Sequence, residues 1–246
     1  MRPHFVDQSI SLQSKNSKRH RKALAAVIQS AIECLEPRTL LTSIISGQTI
    51  AGAIAAQGNT AAYSFSAAVN DSFEVSLGDA NSASAFEPLM HIFDPQGNEI
   101  NASASHGTTN TNTSVRQFYQ VPSGSGGNYT ILVEDDTGTH TGAYDLELAI
   151  APATQASDAD GDGGTIATGQ TKTGTINRTG DLDIFTFSAA QNNTFEVSLG
   201  DPNATSAFEP LMLIYDPHGD EINASASHGT DNTDTSVRQF FQVPTG

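Results

Sequence analysis

The strongest constraint on this chain is that it says the same thing twice. Residues 85–108 return 122 positions later as 207–230, nearly letter for letter. Extended outward without a gap, 47–124 lies over 169–246, and 52 of those 78 positions are identical. A unit of about 100 residues repeated in tandem is a folding module stacked for reach or valency. One copy of that size buries roughly 60–65% of its unfolded-chain surface, enough to fold without metals or disulfides. Cys34 is the only cysteine and lies outside both copies, so packing alone must hold them.

Inside the first copy the signals are those of strands. Phe73, Val75 and Leu77 alternate with Glu74 and Ser76, which assigns one face to a core and the other to water. Similar short runs occupy 49–54, 62–65, 89–93, 115–121, 129–134 and 144–150, separated by Gly, Asn, Asp, Ser and Pro clusters and lacking helical periodicity. About seven such strands predict an all-β antiparallel sandwich or jelly roll. Asp94-Pro95-Gln96-Gly97 reads as a tight turn, kept in the other copy as Asp216-Pro217-His218-Gly219. Tyr63/Phe185, Phe93/Tyr215 and Tyr119/Phe241 exchange one aromatic for another, as buried sites do. The expected organisation is an N-terminal segment at 1–43, a complete sandwich at 44–151, a flexible acidic linker at 152–168, and a truncated sandwich at 169–246. The second copy has no counterpart of 129–134 or 144–150, so the chain reads as a fragment with further domains downstream, exposing apolar edges at Phe185, Phe195 and Phe240.

Charge is unevenly spread. Residues 1–43 carry seven Lys/Arg against three acids, whereas 44–246 carry four against 24. The acidic body repels phosphate, which argues against nucleic acid as a partner. No run of 18 apolar residues suggests a membrane-spanning helix. In the N-terminal segment a basic run at 15–22 leads into apolar residues at 24, 27, 28, 31, 32 and 35, the spacing of a short amphipathic helix. It has the outline of a secretion signal and also of an ordinary basic arm. Leu35-Glu36-Pro37-Arg38-Thr39-Leu40-Leu41 resembles the LEPR-XLL motif found near the start of very large bacterial surface or secreted proteins, where it is linked to sorting. That resemblance implies export to the cell surface or medium. Glu33 sits badly before a lipid-accepting cysteine, so Cys34 reads as an inert thiol.

A second resemblance is carried by Gly52-x-Ile54, Tyr63-x-Phe65, Phe73-x-Val75-x-Leu77, Leu89-x-x-Ile92-Phe93-Asp94-Pro95-x-Gly97, Gly127-Asn128-Tyr129-Thr130-Ile131-Leu132-Val133 and Gly142-Ala143-Tyr144-Asp145-Leu146. In order and spacing these resemble the bacterial pre-peptidase C-terminal domain, over nearly all of 47–150 and, truncated, over 169–246. The resemblance implies a secreted, non-catalytic β-sandwich that accompanies peptidases or other exported proteins, some members of which bind calcium or an extracellular polymer. The family's Gly-Asp-x-Asp-x-Tyr/Phe corner is matched by Gly180-Asp181-Leu182-Asp183-Ile184-Phe185; the first copy has Gly58-Asn59-Thr60-Ala61-Ala62-Tyr63 instead.

Asp158-Ala159-Asp160-Gly161-Asp162-Gly163 has the first half of a calcium loop, with carboxylates at positions 1, 3 and 5 and glycine at 6. Position 12 is Gly169, so the stretch reads either as part of a calcium site or as a solvated acidic linker. The candidate metal ligands are therefore Asp158, Asp160, Asp162, Asp181 and Asp183, with calcium as the one expected cofactor. No catalytic motif appears: no Gly-x-Ser-x-Gly, no His-Glu-x-x-His and no paired His/Cys spacing. His106 and His228 share a loop position as ligands or surface hydrogen-bonding residues, and His91, replaced by Leu213, reads as a partly buried strand position. Arg116 and Arg238 are expected to pair with Glu87 and Glu209, or to touch a sugar or carboxylate ligand. The sequence thus describes a non-enzymatic structural, adhesive or ligand-binding spacer, with an extracellular polymer or protein as partner. The alternative is an accessory segment of a secreted peptidase or other hydrolase whose catalytic domain lies elsewhere.

Overall fold

The computed structural model describes residues 41–245 apart from 82, 101–112, 154, 156–160, 204–207 and 223–235. The expected N-terminal helix, Cys34, Leu35 to Leu40, His106, His228, Asp158 and Asp160 lie outside the described residues.

Alternation builds the first copy as expected. Its strands are β1 (Thr42–Ser43), β2 (Gln48–Ile54), β3 (Ala61–Ala67), β4 (Ser72–Asp79), β5 (Pro88–Phe93), β6 (Ser114–Gln120), β7 (Gly127–Asp135) and β8 (Gly142–Ala151). They form two four-stranded sheets, ordered β1-β3-β7-β5 and β2-β8-β4-β6. Every pairing is antiparallel except β1 with β3. The architecture is an all-β sandwich, with no helix among the described residues.

The inward faces of the two sheets supply one core. Val75 and Leu77 from β4, Leu146 and Leu148 from β8, Met90 and Ile92 from β5, and Ile131 and Val133 from β7 are fully buried there. Removing each such side chain from water contributes roughly 1.5–3 kcal/mol. At one end Phe65, Phe73 and Tyr129 interlock, with ring centroids 4.9–5.3 Å apart. Such offset and edge contacts add about 0.5–1.5 kcal/mol beyond burial. At the other end the Tyr63 and Tyr144 hydroxyls meet at 2.7 Å, so two buried polar groups satisfy one another. Gly52 stands opposite Tyr144 in the ladder, and a Cβ there would lie 2.5 Å from the tyrosine ring. The glycine is what lets the ring fold across the strand.

Local structure in the second copy repeats the first at the same offset of 122. β9 (Gly164–Thr165) pairs in parallel with β10 (Phe185–Thr186), as β1 does with β3. β11 (Thr194–Gly200) pairs with β12 (Ser236–Gln242) in the register of β4 with β6. Phe195 meets Phe187 at 4.9 Å and Phe241 at 5.6 Å, matching Phe73 with Phe65 and Tyr119 at 4.9 and 5.5 Å. Phe185, Phe187, Phe208 and Phe240 are exposed, and Phe195 is half-buried.

The outward face of β4 departs from the sequence expectation. Ser76 is completely buried and Glu74 nearly so, although alternation assigns both to water. Part of the second copy covers them. Period two identifies which side chains enter the sandwich, but says nothing about what another stretch of chain lays over the opposite face.

Candidate functional site

Several aspartates of the first copy are occupied in shaping loops. Asp94 accepts the Gln96 and Asn98 amides at 2.9 and 2.8 Å and the Asn98 side-chain amide at 3.0 Å. These bonds, the Asn98 side chain foremost, hold its carboxyl below the usual range. Asp216 accepts the equivalent amides of His218 and Asp220. Asp135 is buried and receives the Glu87, Thr139 and His140 amides and the Thr137 hydroxyl at 2.7–3.1 Å. Burial alone would raise it; the four donors outweigh burial and bring it down to about 2.

The predicted arginine pairs form with different partners. Arg116 reaches Glu74 at 3.3 Å and Arg238 reaches Glu196 at 3.2 Å, rather than Glu87 and Glu209. Arg116 lies opposite Ser76 in the β4–β6 ladder, so Glu74 is its diagonal neighbour on the same face, within reach of a long side chain. His91 sits on the outward face of β5 between Glu99 at 2.6 Å and Glu134 at 3.4 Å. Partial burial opposes the charged ring, but the two carboxylates prevail and raise its pKa above the ordinary value.

Of the proposed metal ligands, the structure brings two together. The β9–β10 pairing carries Asp162 alongside Asp183, and both carboxylates converge on Gly174. A Cβ at that glycine would lie 2.6 Å from Asp183 Oδ2 and 3.5 Å from Asp162 Oδ2. Asp162 also accepts the Thr175 amide at 2.6 Å. Asp181 is turned elsewhere: it is buried, accepts the Asn177 amide, and pairs with Arg178 at 2.9 Å. Calcium takes six to eight oxygen ligands. Among the described residues no three His, Cys, Asp or Glu side chains converge in a metal-binding arrangement.

A further set of polar contacts forms where the second copy lies on the β2-β8-β4-β6 sheet. Arg178 donates to Thr49 Oγ1 at 3.3 Å, and the Leu182 amide donates to buried Glu147 at 3.1 Å. Gly180 lies against Ser76 and Gly78, and the Thr179 carbonyl presses on Gly78. Ser72 donates to the Gly219 carbonyl, and Gln120 donates to Asp220 at 2.6 Å. Burial, and after it the Glu221 and Glu74 carboxylates, push Tyr215 upward, and burial raises Glu74 to about 7 despite Arg116 beside it. Sequence reasoning missed this face. The available signal was the run of small outward residues on β4, Ser72, Ser76 and Gly78, since glycine inside a strand marks close approach of another backbone.

No protein-family model matches the chain, and no curated protein matches it. Among solved structures it is similar to the pre-peptidase C-terminal domain of collagenase from Bacillus anthracis, at 16% identity over 44% of this chain and 93% of that one, with a TM-score of 0.34. It is also similar to PliG, a periplasmic inhibitor of g-type lysozyme: the Aeromonas hydrophila protein at 15% identity over 45% of this chain and 95% of that one, TM-score 0.32, and the Salmonella Typhimurium protein at 15% over 44% and 96%, TM-score 0.31. No helix among the described residues is long and apolar enough to cross a membrane.

Proposed function

We propose that the chain is a non-catalytic spacer: repeated acidic β-sandwich modules of a large exported bacterial protein that hold a binding surface or a neighbouring domain at a fixed distance. The observation carrying this reading is the seating of the second copy on the first, through Arg178, Leu182, Gly219 and Asp220. A spacer needs a defined angle between successive units, and four hydrogen bonds distributed over a sheet face supply one. The resemblance of 47–150 to the pre-peptidase C-terminal domain and of 35–41 to LEPR-XLL supports export and an accessory role. Nitroxide labels at exposed Ser123 and Gln191, with Cys34 replaced by serine, test the seating. A narrow distance distribution is expected, and a broad one from freely reorienting copies would end the spacer reading.

The convergence of Asp162 and Asp183 favours one addition, calcium stabilisation of the junction, with Asp158 and Asp160 as the remaining carboxylates. Calcium there would offset the repulsion of two close carboxylates and tie the linker to β10. Melting the chain in calcium and in chelator tests it. A higher transition temperature with calcium supports the addition, and coincident curves remove metal from the account.

A further inference from the structure

We propose that the chain binds a second copy of itself head to tail, the outward face of β11–β12 in one copy receiving the 56–60 corner and the 94–98 turn of another. This rests on the spacer reading and names the partner that two unmatched surfaces among the described residues fit. Within the chain the contact has two halves. One is a sheet face built from Ser72, Ser76, Gly78 and Gln120. The other is a corner and a turn, 178–182 and 216–220, that press on it. Subtracting 122 from the corner and turn gives 56–60 and 94–98; adding it to the face gives Thr194, Ser198, Gly200 and Gln242.

Both translated halves exist with the right backbone. β11 and β12 keep the β4–β6 register. The Asp94 amide donates to the Asn98 carbonyl at 2.8 Å, as Asp216 does to Asp220 at 2.9 Å. Gly58 and Gly97 have φ of 72° and 84°, against 83° and 86° at Gly180 and Gly219. Their environments differ in the one respect that matters. Gly180 and Gly219 are hard against the first copy, whereas Gly58 and Gly97 face open space. On the receiving side Phe240 is 60% exposed.

The chemistry carries over for the central contacts. Gly200 is exposed and, like Gly78 beneath the Thr179 carbonyl, has no side chain to obstruct a backbone carbonyl. Thr194 supplies the hydroxyl that Ser72 gives to Gly219, now for Gly97. Gln242 meets exposed Asn98, whose side-chain nitrogen donates to Asp94 and whose side-chain oxygen is the group left to accept. Two contacts do not carry over. Ala56 stands where Arg178 does, and the described residues of the second copy include no counterpart of Glu147. The association between chains is therefore weaker than the seating within one. It lacks the high effective concentration that the linker provides and works against a net charge of -16. Because the two surfaces differ, each docked copy leaves the same pair open, so the product is an open row and not a closed dimer.

Sedimentation velocity on the full chain carrying Cys34→Ser, from low micromolar to near millimolar and in high salt to screen repulsion, reads the assembly. The sedimentation coefficient should climb with concentration without a plateau at dimer. Thr194→Arg blocks the receiving face and Asn98→Arg blocks the inserting turn. Each alone should abolish the climb, while an equimolar mixture should restore it only as far as a dimer, through the one intact pair of surfaces. Absence of any climb in the unsubstituted chain overturns the proposal. So does a climb that survives both substitutions, which would indicate pairing through the edge of β11. The Ser123–Gln191 label distance, measured on the same samples, separates the outcomes: a narrow distance without self-association sinks this proposal alone, and a broad one sinks the spacer reading beneath it.

Discussion

Glu74→Gln is the substitution that most directly interrogates the covered sheet face. In the unfolded chain this carboxyl gives up its proton near 4.5; in the folded chain burial holds the proton until about 7, even with Arg116 alongside. Between those values the folded state binds more protons than the unfolded state, so stability falls as pH rises. The penalty is absent below about 4.5 and complete above 7, where 2.5 units at 1.36 kcal/mol each amount to about 3 kcal/mol. Glutamine removes the charge and keeps a hydrogen bond to Arg116. At pH 8 the variant should therefore melt roughly 6–12 °C above the parent, since about 1 kcal/mol moves a domain of this size by 2–4 °C. At pH 4.5 the two should coincide. His91 titrates in the same direction, its raised value also removing stability as pH rises, so the comparison is made in a His91→Leu background, the residue the second copy has at that position. Circular dichroism melts at four pH values suffice. Parallel melting curves with a constant gap would refute the reasoning, because a water-exposed Glu74 means the second copy does not lie over β4.

Asp135→Asn should cost about 2 kcal/mol near neutral pH, because its amide group turns donor against donor in a loop that offers three backbone N–H groups. The parent should lose a similar amount as pH falls from about 4 through 2, where the aspartate protonates, and the variant should not; an acid limb of equal depth in both would count against the clamp. Tyr63→Phe and Tyr144→Phe should each destabilise by roughly 1–3 kcal/mol by orphaning the other buried hydroxyl, while the double variant costs less than the two combined. Strict additivity in denaturant titrations would contradict their pairing. Gly52→Ala should destabilise by about 1–3 kcal/mol or more, since its methyl would enter the Tyr144 ring. A second-site Tyr144→Leu should recover part of that loss, and no recovery would point to backbone strain instead.

The sandwich was legible because its physics is local. Phe73, Val75 and Leu77 alternate with polar residues, and Asp94-Pro95-Gln96-Gly97 closes where β5 ends. The seven expected strands match β2 to β8 with ends displaced by at most two residues, Val121 falling one position beyond β6. β1 and β9 escaped notice because two residues carry no period. Arg116 was matched to the wrong glutamate because choosing between Glu74 and Glu87 needs the ladder register, which β4 and β6 fix only once paired. Of the acidic candidates, Asp162 and Asp183 are 21 positions apart and meet only because β9 and β10 align. Asp181, two positions before Asp183, lies at the turn that its own amide closes on the Arg178 carbonyl at 3.3 Å, and so takes the Arg178 side chain instead.

The central strands β4 and β8 are flanked by hydrogen-bonded neighbours on both edges, apolar side chains beneath and the 178–220 segments above. Their amides can reach deuterium only after the whole assembly opens, whereas those of β6, the outer strand of that sheet among the described residues, need only fray. Tension applied along the chain would accordingly strip the margins first, and the last stretch to let go would be the pair that carries Glu74 and Glu147.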